Sequence, residues 1–409
     1  MSRRAPVSDA ARLRAVKRKI WNAPWRFRAS CALGIETLLS DEMRALPGVT
    51  ELASAPGVVH ATGPFDLVYA ALLRLRSADA LRIRIGDEAA VTFPMLRDHL
   101  ARLDWSLWLP RRCRLDVRVR SRASRLRDDA GIEHTLRQAV RDHGVDDRAG
   151  DDATEAAVRI ELSHDRATVW LDAAGAPLYR RSGARWSAPT SLRETTAAAL
   201  CLLGIPRDAD LIVDPFCGSG TLLEEAASWL DDACPGGRRD FALAASPAWK
   251  EARMRHARRT LCPEGPAAGA TLVGSDVDEE ALVAAHANVE RGGLASRVSL
   301  SRADARDVDL PALAERGGAR TPLLLSNPPY GRRAEAVGAT PEGLLAQVLA
   351  GAGGWSFALA FPEPDAIAAV PGVTVERVVP IRMRGLPNAL VTGRIARGES
   401  VRSRGPAGR

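Results

Sequence analysis

The chain has 409 residues, 46% of them hydrophobic and 26% charged, with 57 Lys+Arg against 50 Asp+Glu. That apolar content excludes wholesale disorder, and the length corresponds to two or three domains. There is no 18-residue apolar run, and no apolar stretch follows the N-terminal arginines, so a membrane span and a secretory signal are not expected.

Lys17, Lys19 and Lys250 are the only lysines, so nearly all the positive charge is arginine. A GC-rich genome favours arginine, but an arginine excess also suits polyanionic partners, because the guanidinium pairs bidentately with phosphate. The six cysteines, Cys31, Cys113, Cys201, Cys217, Cys234 and Cys262, form no C-x-x-C pair. They are too sparse for a disulfide scaffold, so reduced thiols in a cytoplasmic protein are expected.

Residues 1–20 are polar and basic, and read either as a solvated tail or as a phosphate-seeking arm. Phe27 to Ala32 reads as a strand. Ile35, Leu38, Leu39, Met43 and Leu46 recur at helical spacing. A short strand at Val58 to Ala61, a helix at Phe65 to Leu75 and a strand at Leu81 to Ile85 complete a first α+β stretch. The segment Phe93 to Val169 repeats that grammar. It has a helix over about Phe93 to Leu103, a strictly alternating strand from Arg114 to Arg120, and a helix over about Gly131 to His143. A hairpin follows, Val158 to Leu162 and Ala167 to Leu171, around a Ser163–Arg166 turn. Arg118, Arg120, Arg122, Arg125 and Arg127 lie on a strand end and the loop after it. Five like charges in ten residues repel unless a partner neutralises them, so a phosphate-tracking patch is preferred to a merely solvated face.

Gly175 to Pro189 is rich in turn residues and reads as a linker. From Leu192 the grammar changes to apolar strands alternating with helices: Leu211 to Val213, Thr271 to Val273, Val298 to Leu300, Leu323 to Leu325 and Phe357 to Ala360. That order implies a parallel sheet covered on both faces. The last two strands, Val375 to Met383 and Ala389 to Ile395, are joined by only five residues. A parallel crossover needs about a dozen, so this pair must be antiparallel. The expected organisation is a basic arm (1–20), a first α+β part (21–75), a second (76–175), a linker (176–190), an α/β Rossmann-like domain (191–397) and a tail (398–409).

Three sites in this last domain carry chemistry. Asp214-Pro215-Phe216-Cys217-Gly218-Ser219-Gly220-Thr221 joins a strand to a helix. Small residues there let a ligand approach the backbone and the N–H groups of the helix start. No G-K-[ST] follows, so a phosphate-gripping P-loop is excluded. Asp276 ends the second strand, where an acid can bond a ribose diol or simply cap a helix. Asp304, with Ala305, follows the third strand, in position to accept from an adenine amine; otherwise it is a loop acid.

Asn327-Pro328-Pro329-Tyr330 ends the fourth strand. Prolines cannot donate hydrogen bonds, so the Asn327 side-chain oxygen and the Pro328 carbonyl are the acceptors on offer. Two acceptors suit the two hydrogens of an exocyclic amine, and Tyr330 offers a flat face for a flipped base or packs as a core tyrosine. These sites, in this order, point to methyl transfer from S-adenosylmethionine, which has an adenine, a ribose and a sulfonium but no phosphate. No metal is expected. The 231–270 stretch is an insertion without an assigned role.

On these residues the chain resembles the THUMP-domain class I S-adenosylmethionine-dependent RNA methyltransferases, most closely the bacterial ribosomal-RNA guanine-N2 branch. Leu33-Gly34-Ile35-Glu36, Leu73 to Ala78, Asp104-Trp105, Leu192 to Thr195 and Gly331 with Arg333 extend the match. The resemblance implies a ferredoxin-like part, an RNA-gripping THUMP domain and a seven-stranded catalytic domain with an antiparallel seventh strand. It implies that Asp214, Gly218 and Gly220 cradle the methionine moiety, with Cys217 and Thr221 in the same cofactor-binding turn, where Cys217 otherwise reads as a small buried residue. Asp276 would take the ribose, Asp304 and Ala305 the adenine. Asn327, Pro328, Pro329 and Tyr330 would hold the target base, and Arg333 would touch RNA. The second methyltransferase half that some relatives carry fused is not seen, so a single modification is expected, on structured ribosomal or transfer RNA.

Overall fold

The computed structural model describes residues 14, 19–21, 23–150, 153–181, 192–262, 269–330, 340–383 and 385–397. Most of the basic arm, most of the linker, Arg333 and the 398–409 tail lie outside these residues. The chain divides into two compact units. One comprises Met1–Cys31, Glu36–Gly183 and Cys234–Glu264, the other Ala32–Ile35, Ala184–Ala233 and Gly265–Arg409.

The first unit holds β1 (Pro24–Ser30), α1 (Glu36–Arg44), β2 (Glu51–Ala55), β3 (Val58–Pro64), α2 (Leu67–Arg74) and β4 (Ala80–Ala89). It continues with α3 (Phe93–Arg102), α4 (Trp105–Trp108), β5 (Cys113–Arg122), α5 (Asp129–Asp142), β6 (Thr154–Ser163) and β7 (Arg166–Asp172). All seven strands share one sheet, in the order β2-β3-β1-β4-β7-β6-β5. Neighbours are antiparallel except β5 and β6. The two stretches with repeated grammar therefore meet in a single sheet, through the β4–β7 pairing. Alternation decides which side is core. On β5, Cys113, Leu115 and Val117 are buried while Arg114, Asp116 and Arg118 are exposed. Phe27, Ala29, Leu81, Ile83, Val169 and Leu171 extend the apolar side, each contributing roughly 1.5–3 kcal/mol if large. Helix α5 buries Ile132, Leu136 and Val140, and a side chain at Gly86 would collide with His99 and Leu103, so helices close this side.

The second unit follows the expected alternation. Its elements are α6 (Glu194–Gly204), β8 (Leu211–Asp214), α7 (Thr221–Leu230), then, after the insertion helix α8 (Glu251–Leu261), β9 (Thr271–Asp276), α9 (Glu279–Gly292), β10 (Val298–Arg302) and α10 (Leu310–Gly317). β11 (Pro322–Ser326), α11 (Pro341–Gly351), β12 (Ser356–Phe361), α12 (Pro364–Ala368), β13 (Val373–Met383) and β14 (Leu386–Ile395) complete it. The sheet order is β10-β9-β8-β11-β12-β14-β13. β10 to β12 pair in parallel, while β14 is antiparallel to both β12 and β13. The final connection is tighter than expected, because Met383 already pairs with Leu386. β8 is buried at every position, as a strand covered on both faces requires. Gly393 lets β14 lie close to its neighbours: a Cβ there would fall 2.1 Å from the Thr374 carbonyl oxygen and 2.6 Å from the Phe357 ring. No helix among the described residues is long and apolar enough to cross a membrane.

The insertion corrects one expectation. Cys234 and Cys262 form a disulfide across 28 residues, with their Cα atoms 5.4 Å apart. The thiols are therefore not all reduced. Spacing did not show the pair because tertiary packing, not local sequence, brings the ends of the insertion together. Within the first unit Arg239 donates to the carbonyls of Ala176 and Pro177, and the Tyr69 hydroxyl accepts from the Lys250 N–H. Cys31, Cys113, Cys201 and Cys217 are buried and form no disulfide.

Candidate active site

The site forms where β8, β9, β10 and β11 end. After Asp214 the chain turns through Gly218 (φ +53°) and Gly220 (φ +79°) into α7, backbone angles that favour glycine. A Cβ built on Gly218 meets nothing within 4 Å, so the turn borders open space. The turn is tied to its neighbours: the Cys217 N–H donates to the Ser275 carbonyl (2.9 Å), the Gly218 N–H to Asp276 Oδ2 (2.8 Å), and Asn288 Nδ2 to the Ser219 carbonyl (2.9 Å). Asp276 Oδ1 accepts from the Asp278 N–H (3.0 Å). Asp278, not Asp276, caps α9.

Around this turn lies a cavity of about 340 Å³. Asp214, Cys217, Gly218, Thr221, Asp276, Asp304, Ala305, Asn327 and Pro329 all line it. Gly220, Pro328 and Tyr330 are not in its wall. Gly220 serves the turn, Pro328 is buried, and Tyr330 packs on the apolar cluster with Phe216. Tyr330 is half-buried, with part of its ring against that cluster. Cavity residues that sequence reasoning missed include Leu192, Arg306 and Leu344.

Four carboxylates, Asp214, Asp276, Asp278 and Asp304, line the cavity. Asp214 is buried, accepts from the Ser326 hydroxyl (2.6 Å) and the Phe216 N–H (3.1 Å), and is raised to about 7 by burial, with Asp276 adding repulsion. Ser326 was missed, although its place just before Asn327 on the strand beside β8 was the available signal. Asp304 caps a 3₁₀ turn and holds the fork of Arg306, with Nε at 2.9 Å and Nη2 at 2.6 Å. Arg306 keeps its carboxyl below the usual range. Burial pushes the Cys217 thiol up, so it is a neutral wall residue. A cavity walled by four acids, with Arg306 already held by Asp304 and no lysine, suits a cationic nucleoside rather than a nucleotide phosphate.

At the mouth of β11, Asn327 Oδ1 is buried with no hydrogen-bond partner among the described residues. An unsatisfied buried acceptor costs about 1–3 kcal/mol. It persists because Pro328 and Pro329 have no N–H to offer it. No group of three or more His, Cys, Asp or Glu able to hold a metal ion occurs among the described residues.

The family described as UPF0020, RMKL-like methyltransferase domain, matches residues 181–353, and the RlmL ferredoxin-like domain matches residues 26–82. The chain carries an RMKL-like methyltransferase domain behind an RlmL ferredoxin-like domain. The RMKL-like match contains the whole cavity wall just described. The chain is 30% identical over 332 residues to the ribosomal RNA large subunit methyltransferase K/L of Syntrophotalea carbinolica, covering 76% of this chain and 45% of that one. YpsC of Bacillus subtilis is 27% identical over 316 residues, 75% of this chain and 79% of that one. The crystal structure of SMU.472 complexed with SAH superimposes with a TM-score of 0.77 at 27% identity, over 92% of this chain and 99% of that one. The chain spans about half the length of the K/L relatives it matches.

The five arginines expected to bind RNA lie in the half that holds the ferredoxin-like domain, away from the RMKL-like match. All are exposed. Arg118 pairs with Asp116 (3.1 Å) and Arg125 with Asp165 (3.8 Å), while Arg127 donates to the Ser124 carbonyl (3.1 Å). The chain's own acids thus neutralise part of the row.

Proposed function

We propose that the chain is an S-adenosylmethionine-dependent RNA methyltransferase acting on the N2 amine of a guanosine in large-subunit ribosomal RNA, in the cytoplasm. The observation that carries this reading is the buried, unpartnered Asn327 Oδ1 at the rim of an acidic cavity. S-adenosylmethionine, when bound, supplies an electrophilic methyl group. Asp276 has lone pairs left for the ribose hydroxyls after accepting from Gly218 and Asp278. Asp304 and Ala305 stand where an adenine edge would lie, and Asp214 with the Gly218 turn takes the amino-acid end.

Asn327 Oδ1 accepts a hydrogen of the target amine, which orients its nitrogen lone pair. The prolines keep that rim rigid, so catalysis is positioning, worth several kcal/mol of the barrier at about 7–11 for ideal alignment. The geometry selects an exocyclic amine; guanine N2 and ribosomal RNA rest on the resemblance and on what the K/L relatives are named for. The separate sheet with its arginine row supports a structured RNA substrate.

The test is to incubate the protein with tritiated methyl donor and RNA from a strain lacking it, then digest to nucleosides. Label in N2-methylguanosine of 23S ribosomal RNA is expected. The same nucleoside in transfer RNA would move the substrate. Label only in N6-methyladenine of added DNA, or RNA binding with no label, would refute the reading.

A further inference from the structure

The first sheet has two unlike sides, and only the apolar one is closed by helices among the described residues. Strand register defines the other side. His60, Arg28, Arg82 and Asp172 stand side by side across β3, β1, β4 and β7. One step along, Arg84, Trp170, Arg159 and Arg118 stand side by side across β4, β7, β6 and β5. The exposed arginine row of β5 is therefore the margin of an arginine field that crosses the sheet.

The field carries more positive charge than its acids neutralise. Glu161 pairs with Arg28 (2.6 Å), Asp172 with Arg82 (3.5 Å), Asp87 with Arg84 (2.6 Å) and Asp116 with Arg118 (3.1 Å). Arg26, Arg120 and Arg159 have no ion-pair partner among the described residues. Arg28 Cζ lies over Trp170, 5.4 Å from the ring centroid, and the same guanidinium pairs with Glu161. Beneath it Trp170 is 4% exposed, and its Nε1 donor is buried with no partner, as is His60 Nδ1. Buried polar groups are normally satisfied, so these orphans mark a surface adapted to something further. Burial, then Arg28 and Arg26, lowers His60 to about 4, so it stays neutral at pH 7 and adds no charge of its own.

We propose that this side of the first sheet is a phosphate-binding surface on which the backbone of the RNA substrate runs, with Arg26 and Arg159 as its free contacts. The proposal rests on the RNA reading above and extends the contact area from the edge strand β5 to the centre of the sheet. Phosphates would complete the arginines that the acids leave over. The buried Trp170 is a floor for Arg28 rather than a platform for bases, so recognition here is of backbone and not of sequence.

The test uses the full chain and a short fluorescein-labelled RNA hairpin, with anisotropy read between about 50 and 200 mM KCl. Each phosphate contact contributes about 0.7–0.9 to the slope of log affinity against log salt. The Arg26→Glu/Arg159→Glu pair is expected to weaken binding at least tenfold and to lower that slope by about 1.5–2. The Arg26→Gln/Arg159→Gln pair should lower the slope equally with a smaller affinity loss, and covers the case in which the Glu pair folds poorly. The control pair Arg316→Glu/Arg377→Glu makes the same change of net charge on the second unit, and is expected to leave the slope unchanged. An unchanged slope in both sheet variants, or an equal drop in the control, overturns the surface while leaving the RNA reading intact. A wild-type protein that binds no RNA at any salt overturns that reading, and the surface with it.

Discussion

The two sheets of this protein have the same number of strands and opposite surfaces. The central strands of the RMKL-like sheet, β8, β11 and β12, are buried on both sides, so they are apolar along almost their whole length and the chemistry is confined to where they end. The first sheet buries one side of β5 and exposes the other, and the exposed side runs into an arginine-rich face whose centre, at Arg82 and Trp170, is itself buried. A sheet buried on both faces offers a precise pocket at its strand ends. A one-sided sheet offers area. The reaction proposed above, one amine placed beside one methyl group on a large polyanion, would use both.

The contrast predicts unequal costs for mutation. Leu324→Ala, in the centre of β11 and fully buried, should lower stability by about 2–5 kcal/mol in a denaturant titration. Arg120→Gln, on the exposed face of β5, should stay within about 0.5 kcal/mol. Equal losses would erase the distinction between the sheets. Asp276→Ala removes a charged acceptor at the strand end and should weaken cofactor binding by about 10- to 150-fold, read by calorimetry, since such hydrogen bonds contribute about 1.5–3 kcal/mol. A change below threefold would move the ribose elsewhere.

A smaller, graded effect comes from Asp214. Burial holds its folded-state value near 7, above the ordinary carboxylate range. The folded apoprotein thus binds this proton more tightly than the unfolded chain, so this group's contribution to stability falls as pH rises from about 4 to 7. A cationic cofactor favours the ionised form. Cofactor affinity should therefore be flat above about pH 7 and fall up to tenfold per unit below it, with proton uptake or release detected in buffers of different ionisation enthalpy. A pH-independent affinity between 5 and 8 would remove Asp214 from contact with the cation.

The sequence made the catalytic sheet legible because its signals are local. Apolar runs mark buried strands, Gly218 and Gly220 mark a turn with left-handed angles, and the Pro328-Pro329 pair marks a rim without donors. The antiparallel ending followed from connection length alone. The first sheet was less legible. Strand β2 is exposed at four of its five residues and lacks alternation. The β4–β7 pairing that merges two stretches into one sheet, the Cys234–Cys262 bond and the reach of Arg28 over Trp170 join residues distant in sequence. Tyr330 shows the reverse: its motif fixed its place but not the side on which its ring packs.

The most direct test of the account is Asn327→Ala, with methyl transfer measured under single-turnover conditions alongside equilibrium cofactor binding. The account predicts that transfer falls at least 100-fold, the scale of a lost positioning hydrogen bond in a closed site, while cofactor affinity stays within a few-fold of wild type. Retained transfer, or loss of cofactor binding in its place, would contradict the claim that this carboxamide grips the target amine.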